Sequence, residues 1–417
     1  MNLYRLELKR VCKTRMTAIL LTIALVLAVV MAYLPVTFIG WTELDASGNK
    51  VSYTGLKAIR KRQEQQVSGT ITPDVMQEAL EAYQRVYRQY DANSINDIPV
   101  EVFYKELARY QPLVNNAKEA FADPKTGMAP GVMGLTAEDM QNFYSQLPKR
   151  LESVIWLEQS GKPGYEQAQA IAQKKFDAVQ KPFTYSFGVS SDAMDYQTLL
   201  SLLLTLLCAV IAAPVFASDA QTGAQDIQLC TKNGGLRLAS AKLAAAFSIT
   251  GAAYLLCGVV WILVTNALFG WESTRTSVQW LFSVTSLLPY TVGQMEWVML
   301  VANFLLFFAE VAFVLMASVW AKNNLTALSV ALISVVAPLI VYMVVPGSFG
   351  EWLSALIPAG GIGLSNALLY KMISFDFLYA GGHAFFQADV LLASAPIKIV
   401  LLVGLAAWGY LRKTKVA

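Results

Sequence analysis

Charged residues and glycines are concentrated in one short polar stretch, residues 219–242, between two long apolar runs at residues 199–217 and 243–269. Carboxylates and cations on such a short segment can form ion pairs with another protein. The run 220–229 is compatible with a helix, and Gly234 and Gly235 then break the pattern. The stretch therefore indicates a helix beside a membrane, on which another protein can act. A plain solvated loop that marks the cytoplasmic side is the alternative interpretation.

Residue types that carry catalytic chemistry are sparse elsewhere in the sequence. No GxxxxGK[ST] phosphate-binding loop occurs, so we expect that the chain is not an enzyme and cannot hydrolyse ATP alone. His383 is the only histidine, which argues against a Ser-His-Asp triad. The four cysteines show neither CxxC nor Cys/His metal-binding spacing. We predict no catalytic residue, no metal site and no cofactor in this chain.

Two polar residues interrupt a long apolar run. Glu310 lies near its middle, and Asn303 precedes it by two helical turns on roughly the same face. An ionisable residue at membrane depth is a candidate for a functional role, here a translocation path. A structural hydrogen bond to a neighbouring membrane helix explains the same residues, because such bonds are common between membrane helices.

The elements that position these residues are predicted from composition. The chain is 55% hydrophobic and only 15% charged, whereas soluble domains have about 25% charged residues. Residues 41–197, the hydrophilic segment, hold 17 Lys and Arg and 20 Asp and Glu, while the rest of the chain holds 15 and 9. This distribution predicts one soluble insert in a membrane protein. Its apolar residues recur at helical spacing, so we expect little sheet and four main helices. The first begins at Thr72-Pro73, the second runs from near Pro99 to Phe121, the third begins at Thr136 with Asp139 in a capping-box pattern, and the fourth covers residues 165–179.

Six apolar runs are each long enough to cross a bilayer, which needs about 20 residues. Basic residues favour one side of the predicted membrane by twelve to three, so the positive-inside rule places both termini in the cytoplasm and residues 41–197 outside. Residues 1–15 are predicted to form an interfacial amphipathic helix, with a simple positively charged flank as the alternative. The spans are predicted at residues 16–39, 199–217, 243–269, 297–320, 325–345 and 393–411, the last five within residues 198–417.

Two predicted outer connections are too apolar for ordinary loops. One is residues 278–290, and the other is residues 354–370, where Pro358, Gly360 and Gly361 break an apolar run. Irregular backbone at membrane depth is tolerated only where protein or a wet cavity satisfies it. We predict a re-entrant pair of short helices at residues 354–370. An interfacial helix packed on the outer surface is the alternative.

The order of residues in the polar stretch resembles that of type-2 ABC exporter permeases. An acidic residue ends one span, a glycine turn and a basic turn follow, and a lysine begins the next span. Asp219 stands where that family usually has Glu, and Gly223-Ala224 stand where it usually has Gly-Thr. The resemblance covers residues 1–39 and 196–417. It implies a coupling helix that docks on a separate ATPase subunit, with a coupling set made of Asp219, Gly223, Asp226, Lys232, Gly235, Arg237 and Lys242.

The resemblance further implies an outer gate at Pro358, Gly360 and Gly361. We expect an all-α permease subunit of a bacterial plasma-membrane exporter that moves an amphiphilic peptide, a drug-like molecule or a lipid. Its partners would be the ATPase subunit, which binds ATP and Mg, a second identical or related permease subunit, and the lipid bilayer, but no nucleic acid. Two alternatives involve no transport: a mechanotransmitter that relays ATPase motion to the outer domain, and a peptide-sensing receptor.

Overall fold

The computed structural model describes residues 3–45, 49–364 and 366–414. Lys415, one of the twelve basic residues assigned to the cytoplasm, and Ser365, in the predicted re-entrant pair, lie outside the described residues, as do residues 1 and 2 of the predicted interfacial helix. The described chain is mostly helical, and its strands form three two-stranded antiparallel sheets. The prediction of a mainly helical fold with little sheet is confirmed.

The elements follow one another from the N-terminal helix to a long final helix. Up to the end of the hydrophilic segment they are α1 (Leu3–Cys12), α2 (Arg15–Thr37), β1 (Gly40–Leu44), β2 (Lys50–Thr54), α3 (Leu56–Gln65), β3 (Gly69–Thr70), α4 (Pro73–Gln89), α5 (Val100–Val102), α6 (Gln111–Ala120), α7 (Ala137–Gln141), α8 (Phe143–Gln159), α9 (Tyr165–Asp177), β4 (Thr184–Tyr185) and the first turns of α10 (Ser191–Ala212). The remainder comprises α11 (Pro214–Gln221), α12 (Ala224–Leu229), α13 (Leu236–Phe269), α14 (Val278–Leu281), α15 (Val292–Trp320), α16 (Asn324–Val344), α17 (Gly347–Leu356), α18 (Leu368–Ile373), β5 (Phe377–Ala380), β6 (His383–Phe386) and α19 (Gln387–Thr414).

Six helical stretches of the described chain are long and apolar enough to cross a membrane: α2, α10 with α11, α13, α15, α16 and α19. They have 21 to 34 residues, which meets the requirement of about 20 for a bilayer. Helix α15 is the most buried of them and packs against α10, α13, α16 and α19. The six predicted apolar spans are confirmed as six such helices, and they indicate a multi-pass membrane protein.

Four of these helices, α10, α13, α15 and α19, begin five to eight residues earlier than the apolar runs that predicted them, and α10 and α13 differ most. Helix α10 begins after Ser190, whose side chain accepts a hydrogen bond from the backbone N–H of Ala193, so it starts eight residues before the predicted span. Helix α13 begins at Leu236 and therefore includes Arg237 and Lys242. Hydropathy underestimated both helices because their first turns carry polar residues whose partners lie on other helices.

The hydrophilic segment is mainly helical, and its part of the core is continuous with the core of the long helices. Helix α4 begins at Pro73 behind the Thr72 cap, and α7 begins with the expected capping box of Thr136 and Asp139. The predicted helix from Pro99 to Phe121 is divided into short turns before α6. The buried side chains of the core come from most of its helices and include Met76, Leu80, Tyr83, Leu113, Phe143, Leu151 and Phe176.

Hydrogen bonds join the hydrophilic segment to residues between the long apolar helices. The backbone N–H of Ser277 donates to the carbonyl of Thr184 at 2.9 Å, and the Thr276 hydroxyl donates to the carbonyl of Ser186 at 2.9 Å. Helix α9 packs against the β5–β6 hairpin, where the Gln167 side chain accepts a hydrogen bond from the backbone N–H of Ala384 at 3.1 Å. This hairpin was not predicted, although Gly381-Gly382 between two short apolar runs is a turn signal typical of hairpins.

Candidate functional site

The polar stretch forms a short helix between two glycine breaks. Gly223 ends α11 in the left-handed region at φ 73°, and α12 follows at once. Gly235 then precedes the first residue of α13. Residues 222–235 are named the connector below. Its glycines allow α12 to turn sharply away from the long helices on both sides.

A buried ion cluster lies at the base of the connector, where it meets α11 and α13. The Asp219 carboxylate, on α11, accepts a hydrogen bond from the Arg10 guanidinium of α1 at 2.9 Å and is paired on its other oxygen with the Lys242 ammonium of α13. Lys242 is 1% exposed and also donates to the Gln228 side chain of α12 at 3.0 Å. The Arg10 guanidinium also contacts Glu7 at 2.7 Å. Two cations and two carboxylates thus neutralise each other where α1, α11, α12 and α13 meet.

This cluster divides the predicted coupling set into two groups. Asp219 and Lys242 are buried, and their charges are used inside the protein. The other residues are at or near the surface: Gly223, Asp226, Lys232 and Arg237 are exposed, and Gly235 is half-buried. The structure brings Asp219 and Lys242 together, whereas the exposed members are spread along the connector and the start of α13.

Apolar side chains on the connector and at the start of α13 were missed by the sequence interpretation. Ile227 on α12 is 74% exposed, and Leu236 at the start of α13 is 54% exposed. Both project beside exposed charged residues, Asp226 next to Ile227 and Arg237 next to Leu236. Contiguous apolar patches with polar rims mark protein-binding surfaces, whereas single exposed apolar residues are common on any surface. Their signal in the sequence was weak, because isolated apolar residues in a loop do not distinguish exposed from packed positions.

A groove of about 560 Å³ lies beside the connector, between α1 and α13. Leu3 and Tyr4 line one side, and Asn233, Arg237 and Ser240 line the other. The Tyr4 hydroxyl donates to Ser248 of α13 at 3.0 Å, which holds α1 alongside α13. The N-terminal helix is therefore part of the same surface as the connector.

Asn303 and Glu310 are both buried in α15, but they contact different neighbours. The Glu310 carboxylate accepts a hydrogen bond from Ser334 of α16 and is fully buried. Asn303 lines a small space with Gln197 and Tyr254. The two residues lie about 10 Å apart along the helix axis, at 1.5 Å per residue. The Ser334–Glu310 hydrogen bond joins α15 to α16, as in the structural alternative that the sequence analysis gave for Glu310.

A second buried carboxylate, Glu296, was not selected from the sequence. It is fully buried near the start of α15, and its carboxylate accepts a hydrogen bond from the Asn266 amide of α13 at 2.7 Å. The Gln197 amide of α10 donates to the Glu296 backbone carbonyl at 3.0 Å. The sequence placed Glu296 just outside an apolar run beginning at Trp297, so its burial could not be recognised.

Pro358, Gly360 and Gly361 lie in the turn between α17 and α18. Gly361 has φ 84°, and a Cβ atom there would lie 2.8 Å from Leu306 of α15 and 3.2 Å from Leu391 of α19. At Gly360 a Cβ atom would lie 2.4 Å from the Ala355 carbonyl oxygen. The glycines therefore allow the turn to pack against α15 and α19. Lys398 of α19 caps α17 by donating to the carbonyls of Ala355 and Ile357 at 2.9 and 3.1 Å.

Comparisons of this chain with protein-family models, with curated proteins and with solved structures find no match.

Proposed function

We propose that this protein is the permease subunit of an ATP-driven, ABC-type exporter in a bacterial plasma membrane. In this proposal the connector faces the cytoplasm, both termini are cytoplasmic, and the hydrophilic segment is extracellular. The observation that supports it best is the connector itself, a short exposed helix whose base is held by a buried ion cluster. The order of its residues, which resembles the coupling helix of type-2 ABC exporter permeases, supports the same role.

The connector is suited to receive force from another protein. Ile227 offers an apolar side chain to a partner's pocket, and Asp226 and Arg237 offer charges for pairing. A push on α12 would reach α13 through the Gln228–Lys242 hydrogen bond and α11 through the Lys242–Asp219 pair. Arg10 extends the same connection to α1. The ATPase that binds ATP and Mg would be a separate subunit, and the working unit would contain a second permease subunit.

The partner can be identified by crosslinking in the cells that naturally produce the chain. A photoreactive phenylalanine analogue replaces Ile227, and crosslinked proteins are identified by mass spectrometry. We expect a protein that contains a GxxxxGK[ST] phosphate-binding loop. The matched control carries the analogue at Met128 in the hydrophilic segment, which is 72% exposed against 74% for Ile227.

Two variants then test whether the contact contributes to the binding affinity for the ATPase. Burying an Ile side chain is worth about 1.5–3 kcal/mol, and about 2.8 kcal/mol corresponds to a hundredfold change in affinity. Ile227→Asp, and separately Asp226→Ala with Arg237→Ala, should therefore weaken co-purification of the ATPase by about ten- to a hundredfold. Met128→Asp and Lys125→Ala should leave it unchanged. Crosslinking of the same ATPase at position 128, or full retention of it by the connector variants, would refute the proposal.

A second function, the mechanotransmitter without transport, is favoured by the attachment of the hydrophilic segment. Thr184 and Ser186 are hydrogen-bonded to residues 276–277, between α13 and α14. Gln63 of α3 donates to the Phe269 carbonyl at the end of α13. Helix α13 begins at the connector and ends at this contact, so movement at one end can reach the other. Measuring whether ATP drives export of a lipid or peptide from vesicles containing the complex separates the two functions.

A further inference from the structure

A large cavity lies where the hydrophilic segment meets the long apolar helices. Its volume is about 880 Å³, within the range of about 300–1,000 Å³ that is usual for small-molecule sites. It is lined by residues of α9 and of the β6 strand, by residues 287–290, and by the first turns of α15 and α19. The cavity therefore joins an element of the soluble body to two apolar helices.

The walls of this cavity are mainly apolar. They include Ile171, Leu288, Tyr290, Val298, Met372 and Phe385. Phe385 is 41% exposed, and Ala393 on α19 is also exposed within the cavity. Further along α19, Ile397, Val400 and Leu401 are all exposed, so an apolar surface continues from near the cavity along the helix. In a bilayer this surface would contact acyl chains, which gives an apolar tail a continuous path.

The rim of the cavity carries one uncompensated positive charge. Lys175 forms an ion pair with Asp389 at 3.0 Å and lies over the Phe386 ring at 4.4 Å. Its neighbour Lys174 lines the cavity, is exposed, and has no hydrogen-bond or ion-pair partner within the described part of the chain. Because Asp389 neutralises Lys175, the charge of Lys174 remains available for an anion.

We propose that this cavity binds an amphiphile with one anionic headgroup and an apolar tail. The headgroup pairs with Lys174, and the tail lies between Val298 of α15 and Ala393 of α19. A phospholipid of the surrounding bilayer and a free fatty acid both present this chemistry. The inference deepens the proposed function by naming a ligand class, and it depends on that function only for the ligand's role as cargo. Binding itself needs no ATPase.

Binding is measured by native mass spectrometry on the purified full chain without ATPase. The probes are phosphatidylglycerol, phosphatidylcholine with the same acyl chains, and oleate. We expect tighter binding of phosphatidylglycerol than of phosphatidylcholine. A basic residue near a membrane surface contributes about 1 kcal/mol toward anionic lipids, which corresponds to about a fivefold change in affinity. Lys174→Gln should therefore weaken phosphatidylglycerol binding about fivefold and leave phosphatidylcholine binding unchanged.

A second variant tests the path of the tail. Ala393→Trp places a large ring in the cavity without removing any packed side chain, and we expect it to lower phosphatidylglycerol and oleate binding by about tenfold or more. The matched controls are Lys57→Gln, an exposed lysine on α3, and Ala18→Trp, an exposed alanine on α2. Neither control should change binding.

Three results have different consequences. Equal binding of the anionic and zwitterionic lipids together with unchanged oleate binding in Lys174→Gln, or unchanged binding of both anionic probes in Ala393→Trp, would overturn the proposal. Loss of oleate binding alone in the two variants would assign the site to the free amphiphile, whereas loss of phosphatidylglycerol alone would assign it to the bilayer lipid. Crosslinking at the connector is measured separately, so a failure of this site and a failure of ATPase docking are distinguishable.

Discussion

Replacing Asp219 by Asn should strongly destabilise the protein. The Asp219 side chain is the shared partner of Arg10 and Lys242, and Lys242 is 1% exposed. Asn keeps the shape of the side chain but removes its charge, which leaves a buried ammonium without a counter-ion. Removing one partner of a buried ion pair costs about 3–5 kcal/mol, because the remaining charge stays desolvated. We expect a loss of this size in the free energy of unfolding.

A double variant distinguishes this mechanism from a simple loss of contacts. Asp219→Asn with Lys242→Met removes both charges of the buried pair, while Arg10 keeps Glu7 at 2.7 Å. The double variant should therefore recover most of the stability lost in Asp219→Asn, since replacing a buried pair by apolar groups is often neutral. Unfolding by SDS in mixed micelles provides the measurement. Asp226→Asn, on the exposed side of the connector, is the control and should stay within about 0.5 kcal/mol of the unsubstituted protein.

The outcome that would refute this reasoning is additivity. If the losses of stability in Asp219→Asn and Lys242→Met alone add up to the loss in the double variant, Asp219 and Lys242 do not interact energetically. The cluster then does not stabilise the connector. A stability of Asp219→Asn within 0.5 kcal/mol of the unsubstituted protein would have the same meaning, since about 0.3–0.5 kcal/mol is the usual scatter for independent sites.

Three further predictions follow from other contacts. Ser318→Ala should lower the free energy of unfolding in SDS by about 1–3 kcal/mol. The Ser318 hydroxyl accepts from the N–H groups of Phe216 and Ala217 and donates to the Ala213 carbonyl, at the Pro214 bend. The exposed control Ser240→Ala should leave the stability unchanged. Tyr144→Phe should lower the thermal stability of the isolated hydrophilic segment, because the Tyr144 hydroxyl donates to the Ile71 carbonyl and accepts from the Phe183 N–H. Burial raises the pKa of Tyr144 to about 12, so the stabilisation by this residue is present below pH 10 and is lost as the pH rises toward 12. The Phe variant should not show this loss. The proposed topology is tested in a variant without native cysteines, because Cys12 and Cys230 are exposed. In intact cells, an impermeant maleimide should label single cysteines introduced at positions 68 and 160 but not one at position 231. The reverse pattern would overturn the topology.

The long helices could be predicted because their signal is local. Each apolar run is longer than a bilayer requires, and helices in that setting satisfy their own backbone groups. Thr72, Pro73 and the Thr136–Asp139 box predicted two helix starts because caps also act within a few residues. The β5–β6 hairpin was missed because its residues are apolar on both faces and follow a glycine-rich apolar segment, so alternation and membrane character could not be separated.

The candidate site could be located from the sequence but not divided into its parts. The stretch 219–242 was selected by composition, yet nothing local shows that Asp219 and Lys242 are buried together. That distinction depends on Arg10, which lies more than two hundred residues away in the chain. Glu296 was missed for the same reason, because its partner Asn266 belongs to another helix. Residue type indicates the chemistry, whereas the partner that decides its role comes from the tertiary fold.

The buried polar groups of the long helices differ between the connector region and α15. Where α13 begins, beside the connector, Lys242 is held by an ion pair with Asp219, and two helices contribute opposite charges. Within α15, Glu296 and Glu310 are each held by one neutral side chain, Asn266 and Ser334. In a medium of low dielectric constant, two opposite charges attract each other more strongly than a carboxylate attracts one uncharged donor. A force applied at the connector should therefore move α11 and α13 together, and sliding between helices should occur first at the single hydrogen bonds of α15.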